Sequence, residues 1–288
     1  MRRDRPSLTA SLVSAVRALY TSLPPPYRVA PDPLAAELLP AWLALPARAV
    51  ALAPAAAPAV HRITGALTLG LTYNVALRTR AIDDALREGL ARGANQLVLL
   101  GAGLDSRALR LPELAGVRVL EVDHPSTHRY KAERLAKARA PTRDTARVAI
   151  DFERDRLSDV LPAAGFDPGE RAFWIWEGVT VYLTRAAIAA TLRAVGELSA
   201  PGSRLAVTYS RPGVRRGHAI IEPLVPILGG LVGEPIRGMI ETAALVELLD
   251  AAGFMPVTDE SAVDWARRFW PGEPPAREWE RLAVAERR

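Results

Sequence analysis

The sequence predicts an α/β fold built on a mainly parallel, seven-stranded sheet with helices on both of its faces. From residue 96 onward, short apolar runs alternate with helical stretches, which is typical of crossover connections between parallel strands. The six candidate strands of this kind are residues 96–100, 118–122, 146–150, 172–176, 204–209 and 254–257. A last apolar run, residues 281–285, is the candidate seventh strand.

Residues 1–92 precede the first candidate strand and are predicted to be helical. An amphipathic helix is expected from residue 7 to about residue 20, because apolar residues recur there every four positions, at Leu8, Leu12, Val16 and Tyr20. Three prolines at 24–26 end this helix, and a proline-punctuated region continues to about residue 70. A longer helix is predicted over residues 73–91.

Composition excludes several classes of function. The 288 residues are 49% apolar and 24% charged, as in a folded protein rather than a disordered one. The absence of cysteine excludes disulfides, thiolate metal sites and a cysteine nucleophile. Among the four histidines only His124 and His128 have ligand-like spacing, and no third ligand stands near them, so we expect no metal.

Charge and hydropathy indicate where the protein acts. The net charge of +5 comes from arginines that are spread over the chain and mixed with acids, so no nucleic-acid partner is expected. Four prolines cut the apolar tract 34–60, which argues against a membrane-spanning helix. The apolar stretch after the charged start is interrupted by Ser14 and Arg17, unlike a signal peptide. We therefore expect a cytoplasmic protein with no membrane partner.

The most informative local feature is the turn that follows the first strand. Residues 96–100 run directly into Gly101-Ala102-Gly103, and glycines let a ligand approach the backbone closely. The second strand ends in Asp123, whose carboxylate can accept hydrogen bonds from both hydroxyls of a ribose. Gly101, Gly103 and Asp123 together predict an adenosine-type cofactor.

The same turn leaves other ligands open. An NAD site also uses glycines here and an acid about twenty residues later, although Ser106 replaces the third glycine of that fingerprint. A glycine turn with no ligand is the remaining alternative.

Several motifs, taken in their order along the chain, indicate a particular protein family. They are residues 78–84 (RTRAIDD), 96–110 (QLVLLGAGLDSRALR), 121–125 (EVDHP) with Lys131, and 174–184 (WIWEGVTVYLT). Together they resemble the leucine carboxyl methyltransferase family, and residues 7–18, 32–33 and 233–235 fit its bacterial members. The resemblance implies a Rossmann-like class I methyltransferase fold with an antiparallel last strand, and S-adenosyl-L-methionine as cofactor.

The resemblance also assigns roles to individual residues. Arg78 would pair its guanidinium with the carboxylate of the methionine moiety, which Gly101 would approach, and Glu177 would lie near the amino group and the sulfonium. Asp123 would hold the ribose.

Further cofactor contacts follow from the resemblance with less sequence support. Asp151 and Phe152 would flank the adenine, although family members usually have leucine at the second of these positions. Arg17 is an additional candidate. Without the surrounding motif, Arg78 and Arg80 also fit an ordinary solvated or salt-bridged helix face.

The chemistry of the acceptor determines whether a base is needed. A carboxylate acceptor is already ionised at neutral pH, whereas a phenol would benefit from a general base, for which His124 is the candidate. Tyr182 and Trp176 could line the acceptor pocket or belong to the core. We expect O-methylation of a carboxylate or hydroxyl on a small molecule, as in secondary metabolism. An NAD-dependent oxidoreductase and a non-catalytic cofactor-binding protein remain alternatives.

The predicted domain organisation follows from these assignments. Residues 1–72 would form a helical cap, and residues 73–288 would form the methyltransferase domain, with a lid insertion near 211–240. The sequence leaves the oligomeric state open.

Overall fold

The computed structural model describes residues 8–140, 143–150, 155–212, 237–270, 272, 278 and 280–288. Its helices are α1 (Leu8–Ser22), α2 (Ala41–Leu52), α3 (Ala57–Leu67), α4 (Leu71–Ala91), α5 (Arg107–Arg110), α6 (Pro125–Ala138), α7 (Leu157–Ala163), α8 (Arg185–Glu197), α9 (Thr242–Ala251) and α10 (Ala262–Phe269). Its strands are β1 (Gln96–Leu100), β2 (Arg118–Asp123), β3 (Thr145–Ala149), β4 (Ala172–Trp176), β5 (Arg204–Ser210), β6 (Phe254–Ser261) and β7 (Glu280–Arg287).

The seven strands form one sheet in the order β3-β2-β1-β4-β5-β7-β6. The pairs β3-β2, β2-β1, β1-β4 and β4-β5 are parallel, and β7 is antiparallel to both β5 and β6. This architecture confirms the predicted α/β fold, its seven strands and the antiparallel last strand.

Helices cover both faces of the sheet, as predicted. One buried apolar cluster joins α1, α4 and α10 to the sheet and includes Leu19, Leu77 and Trp265. The other joins α7, α8 and α9 to the opposite face and includes Trp174 and Leu192. Side chains of β1 and β4 enter both clusters, because these central strands are buried along their whole length.

The edge strand β6 extends four residues beyond its predicted end. The apolar run stops at Val257, but the strand continues to Ser261 through Thr258, Asp259 and Glu260. An edge strand exposes one side to solvent, so polar residues occur within it and an apolar run underestimates its length.

The buried face of α1 differs from its apolar stripe. Leu8 and Leu12 are 42% and 47% exposed, while Ser14 and Arg17 are buried. The Ser14 hydroxyl donates to the carbonyl of Ala35 at 3.1 Å, so the polar side of the helix is satisfied inside the protein. The helix was predicted correctly, but the amphipathic stripe gave the wrong face at its first two positions.

The region between α1 and α4 carries exposed apolar side chains, including Trp42 at 65% and Leu52 at 88%. No single helix among the described residues is long and apolar enough to cross a membrane. The segments Ala41–Leu52 and Pro54–Leu67 meet that length and composition only as a pair, bent by 100°.

The proposed cap at 1–72 stays a prediction, and the predicted lid near 211–240 falls mostly on residues 213–236, outside the described residues.

An aromatic cluster joins the N-terminal helices to α4 and α10. His61 is fully buried; its ring stacks on Tyr73 with 4.4 Å between ring centroids and meets Trp270 edge-on at 5.0 Å. Its Nδ1 lies 3.2 Å from the Tyr20 hydroxyl. Burial, aided by the positive charge of Arg62, lowers the pKa of His61 from 6.5 to about 4.

This low pKa predicts acid-dependent stability. The unfolded chain binds a proton at His61 between pH 6.5 and about 4 and the folded chain does not, so stability decreases as the pH falls through this range. The loss attributable to His61 approaches about 3 kcal/mol below pH 4. Urea unfolding at several pH values measures it: the His61→Gln variant should have a flatter pH dependence than the wild type. Equal slopes for the two proteins would contradict this assignment.

Candidate cofactor and active site

The turn after β1 requires glycine for two separate reasons. Gly101 and Gly103 have φ angles of +67° and +51°, a left-handed conformation that other residues adopt at a cost. A Cβ atom on Gly101 would also lie 2.6 Å from Cγ2 of Val179, which is too close for a real contact. The backbone N–H groups of Gly101 and Ala102 donate to the carbonyl of Val122, which fixes the turn against β2.

Asp123 lies against this turn. Its Oδ2 accepts from the N–H of Gly103 at 2.5 Å, and its Oδ1 accepts from the N–H of His124 at 2.6 Å. A carboxylate has about four acceptor positions, so Asp123 retains capacity for ribose hydroxyls. The structure thus brings Gly101, Gly103 and Asp123 together at the carboxyl edge of the sheet, where ligands of open α/β sheets bind.

Arg78 reaches the same edge from α4. It is 5% exposed and forms two ion pairs, so a solvated helix face is wrong for Arg78 while a salt-bridged one describes its contacts. Its Nε donates to Oε1 of Glu177 at 2.9 Å, and its Nη1 forms a short ion pair with Oε1 of Glu280. Burial alone would lower the pKa of Arg78, but the two carboxylates outweigh burial and raise it, so the guanidinium is charged. Arg80 is different, since it pairs on the surface with Asp84.

Arg107 is the centre of this polar core. Its side chain is completely buried, and it forms ion pairs with Asp83 at 2.7 Å, with Asp105, and with Oε2 of Glu177 at 2.7 Å. Burial would raise the pKa of Glu177, but the charges of Arg107 and Arg78 hold that pKa far below its usual range. Glu177 is therefore an ionised carboxylate with both oxygens paired.

The ion pairs extend to the N-terminal region. Arg110 pairs with Asp83 at 2.8 Å and contacts Asp32 at 4.0 Å. Arg17 on α1 pairs with Asp32 at 3.1 Å and donates to the carbonyl of Leu104, in the loop that follows the glycine turn, at 2.5 Å. Arg17 therefore attaches α1 to that loop, and its direct contact with a cofactor stays a prediction.

The candidate residues of the acceptor chemistry lie in different environments. Nδ1 of His124 lies 2.7 Å from Oγ and 3.2 Å from the backbone N of Ser126, so this ring caps α6. Trp176 is buried in the core, 1% exposed. Tyr182 is partly buried at the end of a short 3₁₀ helix, Thr180–Tyr182, beyond β4. Asp151 and Phe152 lie outside the described residues.

Sequence reasoning missed several members of the site. Asp83, Asp105 and Arg107 stand inside the motifs that carry the resemblance, yet they were given no role. The signal for Asp105 and Arg107 was their position directly after the glycine turn, whereas Asp83 lies in a charged stretch of α4 and gave no such signal. Glu280 gave no such signal, because it lies in the polar C-terminal part of the chain.

The strand order, the antiparallel β7 and the glycine turn after β1 define a Rossmann-like fold of the class I methyltransferase type. The family model for leucine carboxyl methyltransferase matches residues 10–196. This chain belongs to the leucine carboxyl methyltransferase family.

Individual relatives agree with this assignment. A protein of Mycolicibacterium smegmatis is 39% identical over 216 residues, and one of Frankia alni is 40% identical over 147 residues. Both carry names that assign them to the S-adenosyl-L-methionine-dependent methyltransferases. The alignments cover 69% and 51% of this chain, and 65% and 51% of those proteins, so the chain spans only part of their length.

Solved structures share the fold. A crystal structure from Thermobifida fusca, described as a methyltransferase, covers 99% of this chain and 96% of its own at a TM-score of 0.58 and 16% identity. An S-adenosylmethionine-dependent methyltransferase from Mesorhizobium loti covers 73% of this chain and 100% of its own at a TM-score of 0.52 and 20% identity. At these identities the likeness concerns the fold.

Proposed function

We propose that this protein is an S-adenosyl-L-methionine-dependent O-methyltransferase that acts on a carboxylate or hydroxyl of a small molecule, as in secondary metabolism. The observation that carries the proposal is the convergence of the glycine turn, Asp123 and the Arg78–Glu177 pair at one edge of the sheet. Membership of the leucine carboxyl methyltransferase family supports it.

The residues of the site fit the parts of this cofactor. Asp123 has unused acceptor capacity for the ribose, and the glycine turn at Gly101–Gly103 lies directly against it. Arg78 supplies a charged planar guanidinium for the methionine carboxylate. When bound, S-adenosyl-L-methionine supplies a methyl group on a sulfonium, and the protein's own task is to orient the donor and acceptor and to exclude water.

The state of His124 favours an acceptor that needs no base. Its Nδ1 is held by Ser126, 2.7 Å from the hydroxyl and 3.2 Å from the backbone N–H, so this nitrogen serves the start of α6 rather than an acceptor. A carboxylate acceptor is ionised at neutral pH without assistance. A small-molecule partner, rather than nucleic acid, is also favoured because many described arginines, including Arg78, Arg107 and Arg110, already pair with carboxylates.

Calorimetry tests the proposed cofactor. We expect S-adenosyl-L-methionine and S-adenosylhomocysteine to bind the wild type and NAD not to bind. The Asp123→Ala and Arg78→Ala variants should each bind S-adenosylhomocysteine at least tenfold more weakly. Each variant loses a charged side chain that would make hydrogen bonds to the ligand. The matched control is Asp250→Ala, which removes an exposed carboxylate paired with Arg288 and should leave the affinity unchanged.

Three results would contradict the proposal. Binding of NAD alone would indicate an oxidoreductase, and unchanged affinity in both site variants would show that these residues do not hold the cofactor. Binding of S-adenosyl-L-methionine without methyl transfer to any member of a panel of carboxylic acids and phenols would favour a non-catalytic binding protein.

A further inference from the structure

Glu280 occupies an unusual position for a charged residue. It is the first residue of β7 and pairs with Ser210, the last residue of β5. Because β7 is antiparallel, its beginning lies at the same sheet edge as the ends of β4 and β5. Glu280 is 5% exposed, and it was not among the residues that the sequence singled out.

The two oxygens of Glu280 have different surroundings. Oε1 accepts from Nη1 of Arg78, whereas Oε2 is buried and has no hydrogen-bond partner among the described residues. A buried carboxylate oxygen without a donor is costly, so its presence points to a donor that comes from a ligand.

Glu177, the other carboxylate beside Arg78, is already satisfied. Its Oε1 accepts from Nε of Arg78 at 2.9 Å, and its Oε2 accepts from Nη1 of Arg107 at 2.7 Å. Of the two carboxylates that flank the Arg78 guanidinium, only Glu280 retains an oxygen without a donor.

The charge balance of the buried network supports a cationic ligand. In the part of the chain that the structure describes, ion pairs connect five carboxylates, Asp32, Asp83, Asp105, Glu177 and Glu280, with four arginines, Arg17, Arg78, Arg107 and Arg110. One negative charge is therefore in excess. An uncompensated charge in a buried site is unfavourable. S-adenosyl-L-methionine carries an ammonium, a carboxylate and a sulfonium, a net charge of about +1, which would balance this excess.

We propose that Glu280 is a cofactor-binding residue whose free Oε2 accepts a hydrogen bond from the α-ammonium group of S-adenosyl-L-methionine. This inference rests on the proposed function. An amino acid that places its carboxylate on Arg78 carries its ammonium group on the adjacent carbon, and so brings it to the carboxylates that flank that guanidinium. Glu280 then holds the ammonium group, and Glu177 keeps Arg78 and Arg107 in place.

Three ligands separate the ammonium contact from the rest of the cofactor. S-adenosylhomocysteine carries both the ammonium and the carboxylate, its decarboxylated form carries the ammonium alone, and 5′-methylthioadenosine carries neither. By calorimetry, the wild type should bind decarboxylated S-adenosylhomocysteine at least tenfold more tightly than 5′-methylthioadenosine. This comparison needs no variant and so does not depend on how a substitution folds.

Glu280→Gln then identifies the residue. It should weaken binding of S-adenosylhomocysteine and of its decarboxylated form tenfold or more, while 5′-methylthioadenosine stays within twofold. The matched control is Glu286→Gln, at the opposite end of β7, where Glu286 pairs with Arg204 at 2.8 Å; all three affinities should be unchanged.

The outcomes distinguish this inference from the function on which it rests. Equal weakening of all three ligands by Glu280→Gln, or no weakening at all, would overturn the role of Glu280. Equal binding of decarboxylated S-adenosylhomocysteine and 5′-methylthioadenosine by the wild type would overturn the ammonium contact. A wild type that binds none of the three would instead contradict the proposed function.

Discussion

Replacing Arg107 with methionine is expected to lower the free energy of unfolding by about 4 kcal/mol, because removing one partner leaves buried charges uncompensated. The guanidinium is fully buried and pairs with Asp83, Asp105 and Glu177, whose side chains are only 2%, 9% and 11% exposed. Methionine fills a similar volume, so lost packing contributes little to the change. Urea unfolding followed by circular dichroism measures the effect.

Two further variants make this result specific to the buried network. Arg92→Met removes an exposed arginine that pairs with Glu88 at 3.1 Å, and it should cost less than about 0.5 kcal/mol. Arg107→Lys keeps the charge but not the planar fork, so it should recover only part of the loss. A similar small effect for Arg92→Met and Arg107→Met would mean that the network adds nothing to stability.

The sheet could be predicted from sequence because buried parallel strands are continuous apolar runs. β1 and β4 are buried at every position, and their bounds match the prediction residue for residue. The predicted strand bounds were wrong where a strand is only partly buried, as at the polar end of β6.

The buried face of α1 could not be predicted for a related reason. Ser14 and Arg17 are buried because distant parts of the chain supply their partners, and apolar periodicity carries no information on such partners.

Part of the candidate site could likewise be predicted from the sequence, and part could not. Gly101, Gly103 and Asp123 were predicted as a group because each stands at the end of a strand, and parallel strands bring those ends to one edge. The ion pairs could not be predicted from local patterns. Arg107 and Glu177 are 70 residues apart in sequence, and Arg78 and Glu280 are 202 residues apart. Only the folded chain places these charges in contact.

The buried ion pairs both stabilise the fold and position the residues of the candidate site. Arg17 attaches α1 to the loop after the glycine turn, Arg107 connects that loop to α4 and β4, and Arg78 connects α4 to β4 and β7. The groups that would hold the cofactor are therefore positioned by the same contacts that hold the N-terminal helix on the sheet. Variants that weaken this network are expected to reduce stability and cofactor affinity together.

Gly101→Ala is expected to lower the free energy of unfolding by about 3 kcal/mol and cofactor affinity at least tenfold, since a strained backbone conformation alone costs about 1–3 kcal/mol. The new Cβ atom would have to move away from Cγ2 of Val179, which lies 2.6 Å from its position. Moving it displaces the backbone that a ligand must approach. Urea unfolding and calorimetry with S-adenosylhomocysteine measure the two losses on the same preparations.

The cost of the backbone conformation can be separated from the cost of the clash. Gly116 has a φ of +81° and no described atom within 4 Å of an added Cβ, so Gly116→Ala should cost only about 1 kcal/mol, the cost of a left-handed residue. Adding Val179→Ala to Gly101→Ala removes the clashing methyl group, and the double variant should be less destabilised than the two single changes combined. Additive losses would show that Val179 does not restrict the turn, and glycine would then be required at 101 for its backbone conformation alone.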